Sequence, residues 1–500
     1  MPDQDGQCLA AVVTAQAADA PEVPWLEGAR TDRVVTRAEL AAVVEQWRTQ
    51  GLAGHRVALL AADPVAFGVL FVALISGGST VVPLDAAAPP EALRQLVDAS
   101  ATTTVVVVGD QRPPQGVTRV LHASGTTMWP RAPRETGSPQ SAQPPEVADG
   151  ASLLFSSGST GPRKAVRLPE AQLLHVARSL AQAHGLEPLD RGFNSLSLHH
   201  VNGEVVGLLA PLVSGGTVVL DGRFHRTGFW DLVGRRATTW VNAVPSIIAI
   251  LANEPPGPVA PSSLRFVRSA SAPLSPAVMA RFEERYGVPV IESYGMTEAA
   301  SQITANPLHD RRPGTVGKPV GVELRVLDEQ GADAAPGRVG RVVLRGPGVI
   351  PCYASDVGAD RFDAEGWLDT EDLGSYDLDG YPTLTGREGD VINRGGEKVF
   401  PREVEDVLRG HPAAAEAVVI GRADPVLGEV AVAYVVPTQD APPDLAEQLT
   451  ARGATALPRE RRPVEIRLVA EVPHGPTGKP VRRLVAAQDR ESLAAVGVNP

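Results

Sequence analysis

From Arg56 to Asp110 the chain alternates apolar strands with a helix: VALLAA, a helical run from Pro64 to Gly77, TVVPL, then TTTVVVVGD at 102–110. Such alternation builds an α/β sheet with mostly parallel strands. The theme returns at LRFVRSASAP (264–273), a helix through ERYG, and VPVIESYG (288–295). Between Arg338 and Leu344 it gives way to short alternating strands with Gly turns, which predict a β-rich subdomain. After Gly386 it restarts with a helix at PREVEDVLRG (401–410), a strand pair over 418–436, a helix near Leu445 and a strand VEIRLV (464–469). The expected fold class is therefore α/β. A large N-terminal domain, 1–385, holds α/β subdomains plus the β-rich subdomain, and a small α+β domain covers 386–500. A length of 500 residues demands such a division, since single cores stop growing well before it. The Pro/Ser/Gln-rich stretch 130–150 reads as a mobile surface loop.

Charge and cysteine usage narrow the function. A net charge of −12 with no basic run excludes nucleic acid and anionic membrane as expected partners. The longest apolar stretch, Phe67–Ile75, is too short to span a bilayer. The start, MPDQDGQCLAAVV, lacks the basic and apolar regions of a signal peptide. Cys8 and Cys352 lie far apart and match no metal spacing. A soluble protein in a reducing, cytoplasmic setting is expected.

Only four of the 46 basic Lys and Arg residues are lysines, and each sits in a Gly-rich segment: Lys164 in SSGSTGPRK, Lys318 in GTVGKP, Lys398 in NRGGEK and Lys479 in PTGKP. Codon bias alone would scatter them. Where arginine is the default cation, lysine persists where a compact point charge is needed, as at a crowded phosphate or carboxylate. In LLFSSGSTGPRK (153–164) a short strand enters a loop in which Ser156, Ser157, Gly158, Ser159, Thr160 and Gly161 offer hydroxyls and backbone N–H groups to a polyphosphate, with Lys164 as counter-charge. A flexible Ser/Gly connector is the plainer alternative for this loop taken alone.

Further motifs follow in order. ESYGMTEAAS (292–301) supplies Tyr294, Gly295, Thr297 and Glu298, of which Tyr294, Thr297 and Glu298 suit adenosine, a phosphate and Mg²⁺. GWLDTEDLG (366–374) places Asp372 in an acidic turn suited to ribose hydroxyls. GREGDVINRGGEKVFPREVE (386–405) adds Arg387, and PTGK ends on Lys479. With these five motifs the chain resembles the acyl-adenylate-forming superfamily of acyl-CoA synthetases, peptide-synthetase adenylation domains and luciferases, from about Arg37 to Arg483.

The resemblance implies two steps and a mobile small domain. A carboxylate attacks ATP to give an acyl-adenylate and pyrophosphate; the small domain then swings, and a nucleophile takes the acyl group. Lys479 would bridge carboxylate and α-phosphate, while Lys164 and Mg²⁺ on Glu298 would support the leaving pyrophosphate. Gly396 and Lys398 would face the site in the second conformation, a solvated surface lysine being the alternative for Lys398. Lys318 is expected to be structural. Four positions depart from the usual pattern: Arg163 and Ala165 in the phosphate loop, Glu371 in place of a Gly beside Asp372, and Gly389 at the hinge position.

The segment LSLHHVNGEVVG (196–207) occupies the place that lines the acyl site in this superfamily, with His199, His200 and Asn202, while Arg268 precedes the turn holding Ser271. Polar walls favour a small polar acid over a fatty chain. A paired-His metal site is disfavoured on the expectation that adjacent histidines on a strand face opposite ways. A weaker resemblance is to small-acid CoA ligases such as oxalate–CoA ligase. The predicted activity is an ATP-dependent, AMP-forming ligase passing a small polar acid to a thiol, CoA in the first instance. The alternatives are transfer to a carrier protein or an amine, including nitrite as an unusual acid leading to diazo chemistry. A reading of another class is an inactive nucleotide-binding sensor or scaffold.

Overall fold

The apolar run that is too short for a bilayer forms the helix Pro64–Ser76, whose residues from Val65 to Ile75 are all buried. Asp63 caps its N-terminus, accepting from Val65 N at 2.9 Å, and Pro64 occupies the first turn. With no polar face, this helix can be satisfied only between layers. It packs in one cluster with Val57, Leu59 and Val81 of one sheet and Leu26, Val218 and Leu220 of a second. The computed structural model describes residues 8–123, 134–137, 148–156, 164–255, 257–355, 357–475 and 480–495.

The first sheet has seven strands and the second nine, and both are mostly parallel, with antiparallel pairs towards the edges. A third, four-stranded antiparallel sheet comprises Glu323–Leu327, Gly340–Arg345, Leu368–Tyr376 and Pro382–Arg387. It is larger than the Gly-punctuated stretch suggested. Beyond it, five strands with the helices Pro401–Arg409, Leu445–Ala456 and Arg482–Ala495 form a smaller C-terminal unit with its own core. Gly386 and Arg387 still pair with Leu373 and Asp372 in the third sheet, and the C-terminal sheet begins at Ile392.

Two local expectations change. The stretch 130–150 is not wholly a loop, because Arg134–Gly137 pairs as a strand with Arg119–Ala123; positions 130–133 and 138–147 lie outside the described residues. Among the described residues no helix is long and apolar enough to cross a membrane.

Candidate active site

Parallel strands of the nine-stranded sheet set the site at their carboxyl ends, where open α/β sheets place ligands. Asn194, Asn242 and Arg268 occupy one rung of three adjacent strands. Each is fully buried. Asn242 donates to Asn194 Oδ1 at 2.9 Å and to Asn202 Oδ1 at 3.0 Å. The Arg268 guanidinium donates to Asn242 Oδ1 at 3.2 Å, Asn202 Oδ1 at 3.4 Å and Gln302 Oε1 at 3.1 Å. All three acceptors are neutral, and among the described residues no carboxylate pairs with it. Burial pushes its pKa down to about 9, still above neutrality, so the group is charged. Nearby His184 is held down to about 3, first by burial and then by the Arg268 charge.

Asn202 also donates to Ser271 Oγ at 3.0 Å, and Ser271 is itself held at φ +73°. Three expected acid-pocket residues, Asn202, Arg268 and Ser271, are thus hydrogen-bonded together. His199 and His200 need a correction. They lie in a turn before a π-helical segment, Asn202–Leu209, not on a strand, and their ring centroids are 4.6 Å apart. The argument that they face opposite ways therefore fails, although the described residues gather no set of three His, Cys, Asp or Glu side chains able to hold a metal ion. His199 lies 3.8 Å from Asp85. Burial lowers the pKa of both, that of His200 to about 4, so both are neutral at pH 7.

The next parallel strand, Val290–Tyr294, ends at the nucleotide motif. Tyr294 donates to Asp372 Oδ2 at 2.5 Å, and Arg387 Nε lies 3.3 Å from the other oxygen of Asp372. Asp372 is not in a turn, as its acidic surroundings suggested, but within the strand Leu368–Tyr376, opposite Arg387. Gly295 is required by close approach, because a Cβ there would lie 1.4 Å from Ser301 O. Thr297 opens the short 3₁₀ turn Thr297–Ala299. Glu298 is buried, and its Oε1 accepts from Tyr353 OH at 2.9 Å and Arg361 Nη1 at 3.4 Å.

Lys164 opens the strand antiparallel to Ala151–Ser156 and pairs in register with Ser156. Its Nζ lies 5.5 Å from the Tyr353 ring centroid and 3.9 Å from Glu371 Oε1. Ser157, Gly158, Ser159, Thr160 and Gly161, like Lys479, lie outside the described residues. Gly396 follows Gly395 in a two-residue hairpin turn; φ of +94° and +60° explain both glycines without a ligand. Lys398 is exposed and pairs with Glu329 at 3.2 Å. Lys318, an exposed residue, lies 4.6 Å from the Tyr381 ring centroid.

Sequence reasoning passed over Tyr353, Arg361, Asn242 and Gln302. For Asn242 a signal existed in one polar residue, next to last, in the otherwise apolar strand WVNA. Arg361 had none, standing 63 positions from Glu298.

Residues 15–354 match the AMP-binding enzyme family, and residues 403–479 match the AMP-binding enzyme C-terminal domain. The chain belongs to the AMP-binding enzyme family. Within it, the chain is 37% identical to a sulfoacetate–CoA ligase of Cupriavidus necator over 95% of this chain and 96% of that one. It is 34% identical to an oxalate–CoA ligase of Arabidopsis thaliana, covering 87% and 88% of the two chains. Among solved structures, o-succinylbenzoate CoA synthetase of Bacillus subtilis with its acyl-adenylate superposes at a TM-score of 0.83, with 26% identity, over 96% of this chain and 98% of that one. ATP-bound MatB of Rhodopseudomonas palustris gives a TM-score of 0.84 at 25% identity, over 97% and 99%.

Proposed function

We propose that the protein is an AMP-forming ligase that joins CoA to a small acid carrying a second anionic group. The observation that carries this reading is Arg268, a wholly buried guanidinium bonded only to neutral oxygens. A buried charge is costly unless paired. A substrate anion arriving beside Asn202 and Ser271 would supply the missing partner, whereas an alkyl chain would leave these groups unanswered. Sulfoacetate and oxalate, the acids in the names of two relatives, each carry a second acidic group.

In the first step a carboxylate oxygen of the acid attacks the α-phosphorus of ATP. The new acyl–oxygen–phosphorus linkage forms as the bond to the β-phosphate oxygen breaks, and pyrophosphate leaves with that electron pair. In the second, the CoA thiolate attacks the acyl carbon and AMP leaves. Asp372, held by Tyr294 and Arg387, would accept from ribose hydroxyls. Lys164 offers a cation to the phosphates, and the loop residues Ser156 to Gly161 together with Lys479 keep the roles their motifs imply. Asn202, Ser271 and the neutral His200 would orient the acid. Magnesium suits Glu298, since that ion is commonly held by one or two carboxylates plus substrate phosphates. Bound there, it would neutralise phosphate charge.

Pyrophosphate release and CoA thioester formation, measured over sulfoacetate, oxalate, malonate, acetate and octanoate, test the reading. A diacid or sulfonate should lead the panel. A lead for octanoate, or ADP as the nucleotide product, would refute it.

A further inference from the structure

Glu371 has φ +62°, a left-handed conformation that costs a residue with a Cβ roughly 1–2 kcal/mol. Its backbone N donates to Asp369 Oδ1 at 2.8 Å, which helps to hold that conformation. The half-exposed side chain then reaches two cations at once. One carboxylate oxygen is 3.9 Å from Lys164 Nζ and the other 3.7 Å from Arg361 Nη1. Arg361 is itself buried and also holds Glu298 and Tyr353. Its Nη2 is buried with no hydrogen-bond partner among the described residues, a donor without an acceptor. Thus one carboxylate stands between two cations, one position before Asp372 and across Arg361 from Glu298.

We propose that Glu371 is a built-in competitor of the triphosphate: in the ATP-free protein it engages Lys164 and Arg361, and it sets how tightly ATP and pyrophosphate are held. Arg361 becomes a second phosphate-facing cation, its unpartnered Nη2 the donor a phosphate oxygen would fill. This rests on the ligase reading given above. A half-exposed glutamate can swing aside when the nucleotide enters, so the site remains usable. Its charge stays close, weakens the hold on the polyanion and eases departure of pyrophosphate. The effect is electrostatic between partly solvated groups, and it should shrink as salt rises.

The test is calorimetric binding of a non-hydrolysable ATP analogue and of pyrophosphate to the full chain and to Glu371→Gln and Glu371→Gly, with the KM for ATP measured alongside. Glu371→Gln removes the charge and keeps the Cβ; Glu371→Gly also relieves the backbone. Both variants should bind the two ligands roughly threefold to tenfold more tightly at low salt, with a smaller gain at high salt. Arg361→Gln should weaken both ligands and erase most of the gain from Glu371→Gln. Unchanged or weaker binding in Glu371→Gln overturns the proposal, as does a gain seen only in Glu371→Gly, which would assign the effect to strain. These binding measurements need no turnover. Failure of the parent protein to release pyrophosphate with any acid would count against the ligase reading, whereas failure of the Glu371 variants to tighten binding counts against this inference alone.

Discussion

Tyr294 and Asp372, 78 positions apart, meet through a 2.5 Å hydrogen bond that joins the end of a parallel strand of the nine-stranded sheet to the antiparallel sheet beyond it. Burial, then the Asp372 charge, raises the phenol pKa well above its ordinary value, so the tyrosine remains the donor. The bond fixes one carboxylate oxygen while Arg387 lies beside the other.

Removing that donor should loosen Asp372 without removing it. Tyr294→Phe is expected to cost about 1 kcal/mol in nucleotide affinity, a rise of roughly fivefold in the KM for ATP, with little change in the KM for the acid. Asp372→Ala should cost more. A Tyr294→Phe variant with parental KM for ATP would show that Asp372 needs no help from the tyrosine.

Arg268→Gln keeps hydrogen-bonding capacity among Asn202, Asn242 and Gln302 but removes the charge. For an acid with a second anionic group, kcat/KM should fall by about 2 kcal/mol, roughly 30-fold, while acetate changes much less. Circular dichroism would verify the fold. Equal losses for both acids would make Arg268 a structural residue rather than a selector.

Much of the architecture was legible because apolar strands buried in a parallel sheet announce themselves, as in TTTVVVVGD, and the longest apolar helix is limited to one interpretation by its length. In the candidate site, residue type was legible and singled out Asp372 and Arg268 as candidates. Direction was not. His199 and His200 were read as strand residues because turn and strand cannot be told apart in LSLHHVNG, and the π-helical segment that follows has no distinct periodicity in sequence. The partners of Glu298 were invisible for another reason: Tyr353 and Arg361 arrive from 55 and 63 positions away, on the connection between two strands of the third sheet. Glu371 could be seen as an added negative charge, but its left-handed backbone and its two cations could not.

Glu204 gives a pH test of stability. It is fully buried in the π-helical segment, bonded to Ser152 Oγ at 3.1 Å, and burial lifts its pKa from 4.5 to about 8. Between those values the folded protein holds a proton that the unfolded chain has released, so this group makes stability fall as pH rises through that window and leaves it flat on either side. The upper limit of the loss is about 4–5 kcal/mol. Glu204→Gln should therefore lose less thermal stability than the parent between pH 5 and 8.5. Parallel pH curves would mean that Glu204 does not carry the buried proton.

Gly389 tests whether the two half-reactions depend on a swivel. It lies in the 3₁₀ turn Glu388–Asp390, between Arg387, the last residue of the third sheet, and Ile392, where the C-terminal sheet starts. A Cβ there would meet nothing within 4 Å, and φ lies outside the left-handed region, so a β-carbon is tolerated at this position. Proline would nevertheless lock φ near −65° and prevent the large backbone change that a swinging small domain asks of its connector. Gly389→Pro should keep the half-reaction belonging to the present arrangement within a few-fold of the parent and depress the other at least tenfold, as measured by pyrophosphate release for the first and by thioester formation from supplied acyl-adenylate for the second. Gly389→Ala, which retains φ freedom on the negative side, should restore most of the loss. Parental rates in both half-reactions for Gly389→Pro would move the pivot to another residue.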